Sequence, residues 1–166
     1  MDKIRLMTID DIPRAAEIHV FGWRHTYRGI VSDDILFNKM SVARSTQRFA
    51  DGASSGDLET YVYDDGIIKG FMTVFNCLDE DTTDSFEIVG LYIDPFMQRG
   101  GVGAKMIRFC EEIAAERGFS KVCLWVLTEN ANARAFYEKM GYMPDGASKF
   151  LDGLDAWEVR YAKNIG

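Results

Sequence analysis

Two rhythms of apolar residues alternate along this chain and mark out its elements. Ile12, Ala15, Ala16, His19 and Trp23 recur at three- and four-residue intervals. That spacing predicts a helix, with Pro13 in its first turn and Thr8 or Asp10 as its cap. A short strand, 4–7, precedes it. Residues 41–49 form a second helical segment, and 51–56 read as a loop. Segments 60–63 and 67–75 are strand-like, joined through Asp64, Asp65 and Gly66 as a tight hairpin. An acidic loop follows at 79–84, then a strand at 86–93 closed by Asp94 and Pro95. Residues 104–117 are an amphipathic helix, with Ile107, Cys110, Ile113 and Ala114 on one face and Gly118 to stop it. The near-continuous apolar run 122–127 has the character of a central strand. A short helix at 132–140 ends at Gly141, and 157–161 make a last strand. Hairpins followed by a strand–helix–strand crossover predict an α/β layered domain with a mixed sheet. No repeat, low-complexity tract or linker interrupts the chain, so one domain is expected over 1–166.

Composition narrows the function classes. A hydrophobic fraction of 47% and a charged fraction of 27% over 166 residues suit an ordinary globular chain. Nineteen basic against 26 acidic residues give a formal charge of −7, which argues against nucleic-acid binding and mildly favours cationic partners. The start, Met1 to Arg5, lacks the apolar run of a signal peptide, and no stretch approaches a membrane span. A cytoplasmic location is expected. Cys77, Cys110 and Cys123 are odd in number and lack metal-ligand spacing; Cys110 and Cys123 sit in apolar patterns and read as buried thiols. His19 and His25 complete no metal pattern either, so no metal is expected, with His19 packed and His25 solvated.

The informative segment lies between the 86–93 strand and the following helix: Gln98, Arg99, Gly100, Gly101, Val102, Gly103, Ala104. Glycines at a helix start let the backbone approach a ligand closely, with unpaired N–H groups aimed at it. Those donors, and the positive end of the helix dipole, favour a phosphate or pyrophosphate. Arg99 adds a cation. Two phosphate loops fail: Gly103 is followed by Ala104-Lys105-Met106 and not Lys-Ser/Thr, and the dinucleotide spacing ends in Met106 where glycine is needed. A glycine-rich connection without a ligand is the bland alternative.

Gln98-x-x-Gly101-x-Gly103 after an apolar strand resembles the acetyl-CoA signature of the GNAT superfamily of acyltransferases. The segment Asn130-Ala131-Asn132-Ala133-Arg134-Ala135-Phe136-Tyr137-Glu138-Lys139-Met140-Gly141-Tyr142 resembles that superfamily's Asn-x-x-Ala-x-x-Phe-Tyr-x-Lys-x-Gly-aromatic motif. The two motifs stand in the family order and span about 86–142. A looser likeness to one GNAT branch runs through Trp23 to Ile30. The resemblance implies one domain with a mixed, strongly twisted sheet flanked by helices and splayed between the 86–93 and 122–127 strands. Acetyl-CoA would enter that gap, its pantetheine along the edge at Leu91, Tyr92 and Ile93 and its pyrophosphate on the N–H groups from Gln98 through Ala104. Asn130, Ala133, Phe136 and Tyr137 would flank the cofactor. Gly90, inside a strong strand, fits a bulge or a close backbone approach.

The resemblance also assigns chemistry. Tyr137 matches the position of the acid that protonates the departing thiolate; a phenol titrating near ~10 keeps its proton at neutral pH. The alternative is an aromatic beneath the cofactor. Asn130 is a cofactor contact or a helix cap. Glu87, eleven positions before Gln98, matches a glutamate that some GNAT enzymes use as general base, and burial on an apolar strand would raise its pKa. Its alternative is an outward-facing strand glutamate; Tyr92, Asp94 or a water chain could serve instead. Trp23 and Tyr27, four apart, could floor an acceptor pocket or belong to the core. Acceptor walls are expected from 21–40 and 145–156, whose Asp33, Asp34, Asp152 and Asp155 would suit a cationic amine. The expected activity is acetyl transfer from acetyl-CoA to a small-molecule or peptide primary amine in a ternary complex, with a homodimer possible. The rivals are another acyl donor or an oxygen acceptor on the same scaffold, and a non-catalytic CoA-binding sensor.

Overall fold

The computed structural model describes residues 3–56, 58–77 and 79–166; Met1 and Asp2, where the expected charged start opens, lie outside them. Strand β1 (Ile4–Leu6) leads into a 3-10 turn and helix α1 (Ile12–Thr26), followed by α2 (Val42–Ser55), β2 (Glu59–Asp64), β3 (Ile68–Asn76), β4 (Ser85–Ile93), α3 (Val102–Glu116), β5 (Lys121–Leu127), α4 (Ala131–Lys139), β6 (Met143–Leu151) and β7 (Ala156–Asn164). One seven-stranded sheet takes them all in the order β1-β2-β3-β4-β5-β7-β6. Among the described strands only β4 and β5 run parallel, joined by the α3 crossover; every other strand pair is antiparallel.

Helices cover both faces. Met72, Val74, Phe86, Ile88, Val122, Leu124 and Val126 meet Met106, Ile107, Cys110 and Ala114 of α3, with α4 at the margin through Ala133, Phe136 and Tyr137. The opposite face carries Val62 and Phe71 against Ala15 and Ile18 of α1. The alternation of β4 works only because it is interrupted. Ile88 pairs with Val74 and Gly90 with Thr73, leaving Val89 as the extra residue of a bulge. The bulge lets Phe86, Ile88, Leu91 and Ile93 all reach the α3 side, while Glu87, Gly90 and Tyr92 share the α1 side.

Several local expectations change. Residues 51–55 continue α2 instead of forming a loop: Ser54 and Ser55 hydroxyls donate back to the Ala50 and Gly52 carbonyls, and the helix stops only where Gly56 takes φ 71°. α3 begins at Val102, two residues earlier than its apolar spacing suggested. β6 is an addition; its residues are mostly exposed, so it carries no apolar alternation to detect. The 79–84 loop is held by Arg160, which is 4% exposed and pairs with Asp79 at 3.0 Å, Asp81 at 2.6 Å and Asp145 at 2.6 Å. Cys77, Cys110 and Cys123 are all buried free thiols. Among the described residues, no helix is long and apolar enough to cross a membrane.

His19 tests how the α1 face is assembled. It lies between α1, α2 and the sheet, with Nδ1 2.8 Å from the Ser45 hydroxyl and edge-on contacts to Trp23, Phe49, Phe71 and Tyr92. Burial, and secondarily the Arg48 guanidinium, push its pKa down to about 4. The unfolded chain takes up that proton near 6.5. Stability is therefore complete above that pH and falls as pH drops toward 4. Between pH 7.5 and pH 5 the native protein should lose on the order of 1–2 kcal/mol through this residue. Urea unfolding at the two pH values should show a smaller drop for His19→Gln than for the native chain; equal drops would remove His19 as the cause.

Candidate functional site

The β4–β5 ladder is short. It runs from Ser85↔Lys121 to Ile88↔Leu124 and stops at the bulge. Beyond it β5 pairs only with β7, so the β5-facing edge of β4 from Val89 to Ile93 has no strand partner. The gap expected between these strands is present, and Leu91, Tyr92 and Ile93 lie along it. Gly90 follows the bulged Val89, and a Cβ there would meet the Tyr92 ring at 2.9 Å.

At the end of β4, Asp94 turns the chain: its carboxylate accepts from the Phe96 N–H at 2.8 Å and pairs with Arg14. It is 6% exposed and fully engaged, so the reserve role of general base does not fit it. The turn delivers the chain into the glycine loop. Arg99 (φ 66°) and Gly101 (φ 75°) both adopt left-handed backbone, and a Cβ at Gly101 would find open space, so conformation and not crowding explains that glycine. At Gly103 crowding does: a Cβ would lie 3.2 Å from the Phe136 ring. The first helical bond of α3 is Lys105 N–H to Gly101 C=O at 3.1 Å. The N–H groups of Gln98, Arg99, Gly100, Gly101, Val102, Gly103 and Ala104 find no acceptor among the described residues. Gln98 through Gly101 are exposed while Val102 is buried as the anchor. The result is an exposed run of free donors at a helix start, suited to an anion.

α4 forms the other wall. Asn130 caps it, its Oδ1 accepting from the Ala133 N–H at 3.2 Å, so the cap role is real and only its Nδ2 remains for another partner. Phe136 lies beneath Gly103, and Tyr137 stacks edge-on with Phe136 at 5.3 Å. Burial first, and the Tyr92 phenol second, push the Tyr137 pKa up.

From the α1 side, Trp23 and Tyr27 stack at 4.8 Å, and Trp23 Nε1 donates to the Tyr92 hydroxyl at 2.9 Å. Burial pushes the Tyr27 pKa up as well, reinforced by Tyr92 and Tyr137. Three phenols, on α1, β4 and α4, thus converge where the sheet opens. Beside them a cavity of about 510 Å³ lies between α1, α2 and β2–β4, lined among others by Trp23, Phe49, Phe71, Gly90 and Tyr92. Asp33, Asp34, Asp152 and Asp155 are not among its walls; Asp34 is exposed and paired with Lys39 at 3.2 Å. Arg48 does line it.

Glu87 sits one step below the gap, in the closed part of the ladder opposite Cys123 and on the same face as Tyr92. It is half-buried. Burial raises its pKa, Asp79 adds to the rise, and Lys149 opposes it. The outward-facing alternative therefore fails. Sequence reading missed the residues around it: Lys149 of β6 lies 3.2 Å from Glu158 and 4.0 Å from the centre of the Trp125 ring. Trp125 stood inside an expected strand, but its neighbours come from β6 and β7, which local pattern did not bring together.

Known proteins place this arrangement. Residues 33–142 match the model of the acetyltransferase (GNAT) family. The chain is 26% identical over 168 residues to the uncharacterised N-acetyltransferase YuaI of Bacillus subtilis, covering 100% of this chain and 91% of that one. It is 22% identical over 145 residues to the spermidine N(1)-acetyltransferase of Thermoplasma acidophilum, covering 84% of this chain and 87% of that protein. The crystal structure of PaiA N-acetyltransferase from Thermoplasma acidophilum in complex with coenzyme A has the same fold, with a TM-score of 0.70, 22% identity, and 95% and 96% of the two chains covered. With its opened β4–β5 ladder and two-thirds of its length within the family model, the chain belongs to the GNAT acetyltransferase family.

Proposed function

We propose that the chain transfers the acetyl group of acetyl-CoA to a primary amine by direct attack within a ternary complex. The observation that carries this reading is the gap itself, with free N–H donors at its loop end and the Tyr27, Tyr92 and Tyr137 phenols at its centre. The donors of Gln98, Arg99, Gly100, Gly101, Val102, Gly103 and Ala104 would hold the pyrophosphate, with the unpaired Arg99 beside them. Pantetheine would follow the open edge at Leu91, Tyr92 and Ile93, and Asn130, Ala133 and Phe136 would close over it. A thioester in the gap can be reached from the α1 face, where Trp23 and Tyr27 would floor the acceptor site.

The amine must be neutral to attack. Glu87, held half-buried with a raised pKa, would take its proton through water, since the residue lies below the gap and not within it. As the nitrogen–carbon bond forms and the carbon–sulphur bond breaks, Tyr137 would give its proton to the departing thiolate. The spermidine acetyltransferase among the relatives supports an amine acceptor. The cavity beside Tyr92 favours an acceptor with an apolar portion; its charged lining is one base, Arg48, and one acid, Glu59, and gives no support to acidic walls built from Asp33, Asp34, Asp152 and Asp155.

Two measurements test the reading. Gly101→Asp forces a side chain into left-handed backbone and adds negative charge to the donor run, so acetyl-CoA should bind at least about 30-fold more weakly by calorimetry. Unaltered affinity in a variant with an unchanged melting temperature would sink the loop assignment. For the chemistry, Tyr137→Phe should lower kcat about 100-fold with acetyl-CoA affinity nearly intact, and Glu87→Gln should lower kcat by a comparable factor. Thiol release against a mixed panel of amines supplies the rate. Full activity in Tyr137→Phe would transfer the acid role to Tyr27, Tyr92 or water.

A further inference from the structure

On the α1 face, three neighbouring strands bring Cys77, Glu87 and Cys123 together. Cys77 follows β3 and donates its N–H to the Ser85 carbonyl of β4 at 3.1 Å; Glu87 lies on β4; Cys123, on β5, is directly opposite Glu87. The two sulphurs and a carboxylate oxygen all lie within 4.8 Å of one another. Cys77 is 7% exposed and Cys123 fully buried, with Glu87 half-buried above them toward the acceptor side. The Thr82 hydroxyl points to the Cys77 sulphur at 3.5 Å and helps to fix it.

A disulfide does not explain this grouping. Both cysteines are free thiols, and a bond between them would leave the adjacent Glu87 carboxylate out of the cluster. A tetrahedral metal has the right reach. With zinc–sulphur bonds of about 2.3 Å its thiolates lie about 3.8 Å apart, which side-chain rotation alone brings within range. We propose that Cys77, Glu87 and Cys123 form a site for a thiophilic divalent cation, zinc by preference, with the fourth position left to water. Two thiolates and a carboxylate favour zinc over calcium or magnesium, which prefer all-oxygen ligands. Binding displaces the two thiol protons to solvent and leaves a net single negative charge on the site, next to the Lys149 ammonium.

The consequence for activity rests on the proposed role of Glu87: a carboxylate bound to zinc is withdrawn as a base, so a loaded enzyme should be slow. The site explains why no metal was expected from the sequence. Its ligands are 10 and 36 residues apart and meet only because β4 lies between β3 and β5.

The test uses the full chain, stripped with a chelator and titrated with Co²⁺. One equivalent should produce a thiolate-to-cobalt charge-transfer band, and Zn²⁺ should displace it. Cys77→Ser and Cys123→Ser should each weaken binding at least about 100-fold while keeping metal-free activity, and Cys110→Ser, altered on the opposite face, should bind normally. Absence of the band, its persistence in both ligand variants, or its loss in Cys110→Ser would overturn the site. A measurement on the native chain avoids any folding defect: zinc-edge absorption should report two sulphur neighbours at about 2.3 Å, and a shell of nitrogen and oxygen alone would refute the proposal. Zinc binding with this sulphur shell and undiminished transfer would confirm the site and overturn Glu87 as the base.

Discussion

One extra residue in β4 organises the molecule. Without the bulge, with Val89 held in regular register, the strand would continue its pairing with β5 and its α3-side alternation would fail at Leu91 and Ile93. With it, the ladder ends at Ile88↔Leu124, the apolar register recovers, and a partnerless edge opens in the middle of the sheet. A bulge bends its strand and leaves backbone groups unpaired, and in an interior strand that is tolerable only if something else supplies the missing partners. The glycine loop follows from the same event, because the bent strand ends beside α4, where Gly103 meets Phe136. A gap, a donor cradle and a cluster of phenols therefore share a single structural cause.

The parts of this design that were legible in the sequence are local ones. The loop from Gln98 to Ala104 and the run from Asn130 to Tyr142 carry their conformational demands in consecutive residues: left-handed backbone at Gly101, close approach at Gly103, a cap at Asn130. Strand β4 and the amphipathic helix α3 were visible for the same reason. β6 was not, since an exposed edge strand has no buried face to impose alternation on it. The fate of Glu87 was half-visible: burial could be expected of a carboxylate on an apolar strand, but Cys77, Cys123 and Lys149 reach it from other strands. Position 90 was conspicuous as a glycine, although the bulged residue itself is its neighbour, Val89.

Charge illustrates the same limit. A formal balance of −7 suggests a surface attractive to cations. In the folded chain many acids already have partners: Asp79, Asp81 and Asp145 surround Arg160, Asp11 and Asp64 share Arg5, and Asp94 is held by Arg14. Buried or partly buried pairs of this kind fix loops and strand ends; they do little for long-range attraction, because their fields largely cancel. Counting acids along the chain thus overstates what an approaching acceptor meets; at the cavity Arg48 stands with Glu59, an acid already paired with Arg117.

The sheet also separates the two groups proposed to handle protons. Tyr137 belongs to the α4 side, among the residues around Phe136 and Tyr142, while Glu87 belongs to the α1 side with Cys123. Between them the sheet is closed except at the gap. Placed on opposite faces, the proposed acid and base would meet only across the gap. Both sides are desolvated, and burial raises the pKa of the Tyr137 phenol and of the Glu87 carboxyl alike. On this view the splay does more than admit a cofactor. In the proposed reaction a thioester there would bridge the two faces, and a sheet that closed its ladder one residue further would shorten the partnerless edge of β4 on which that reading depends.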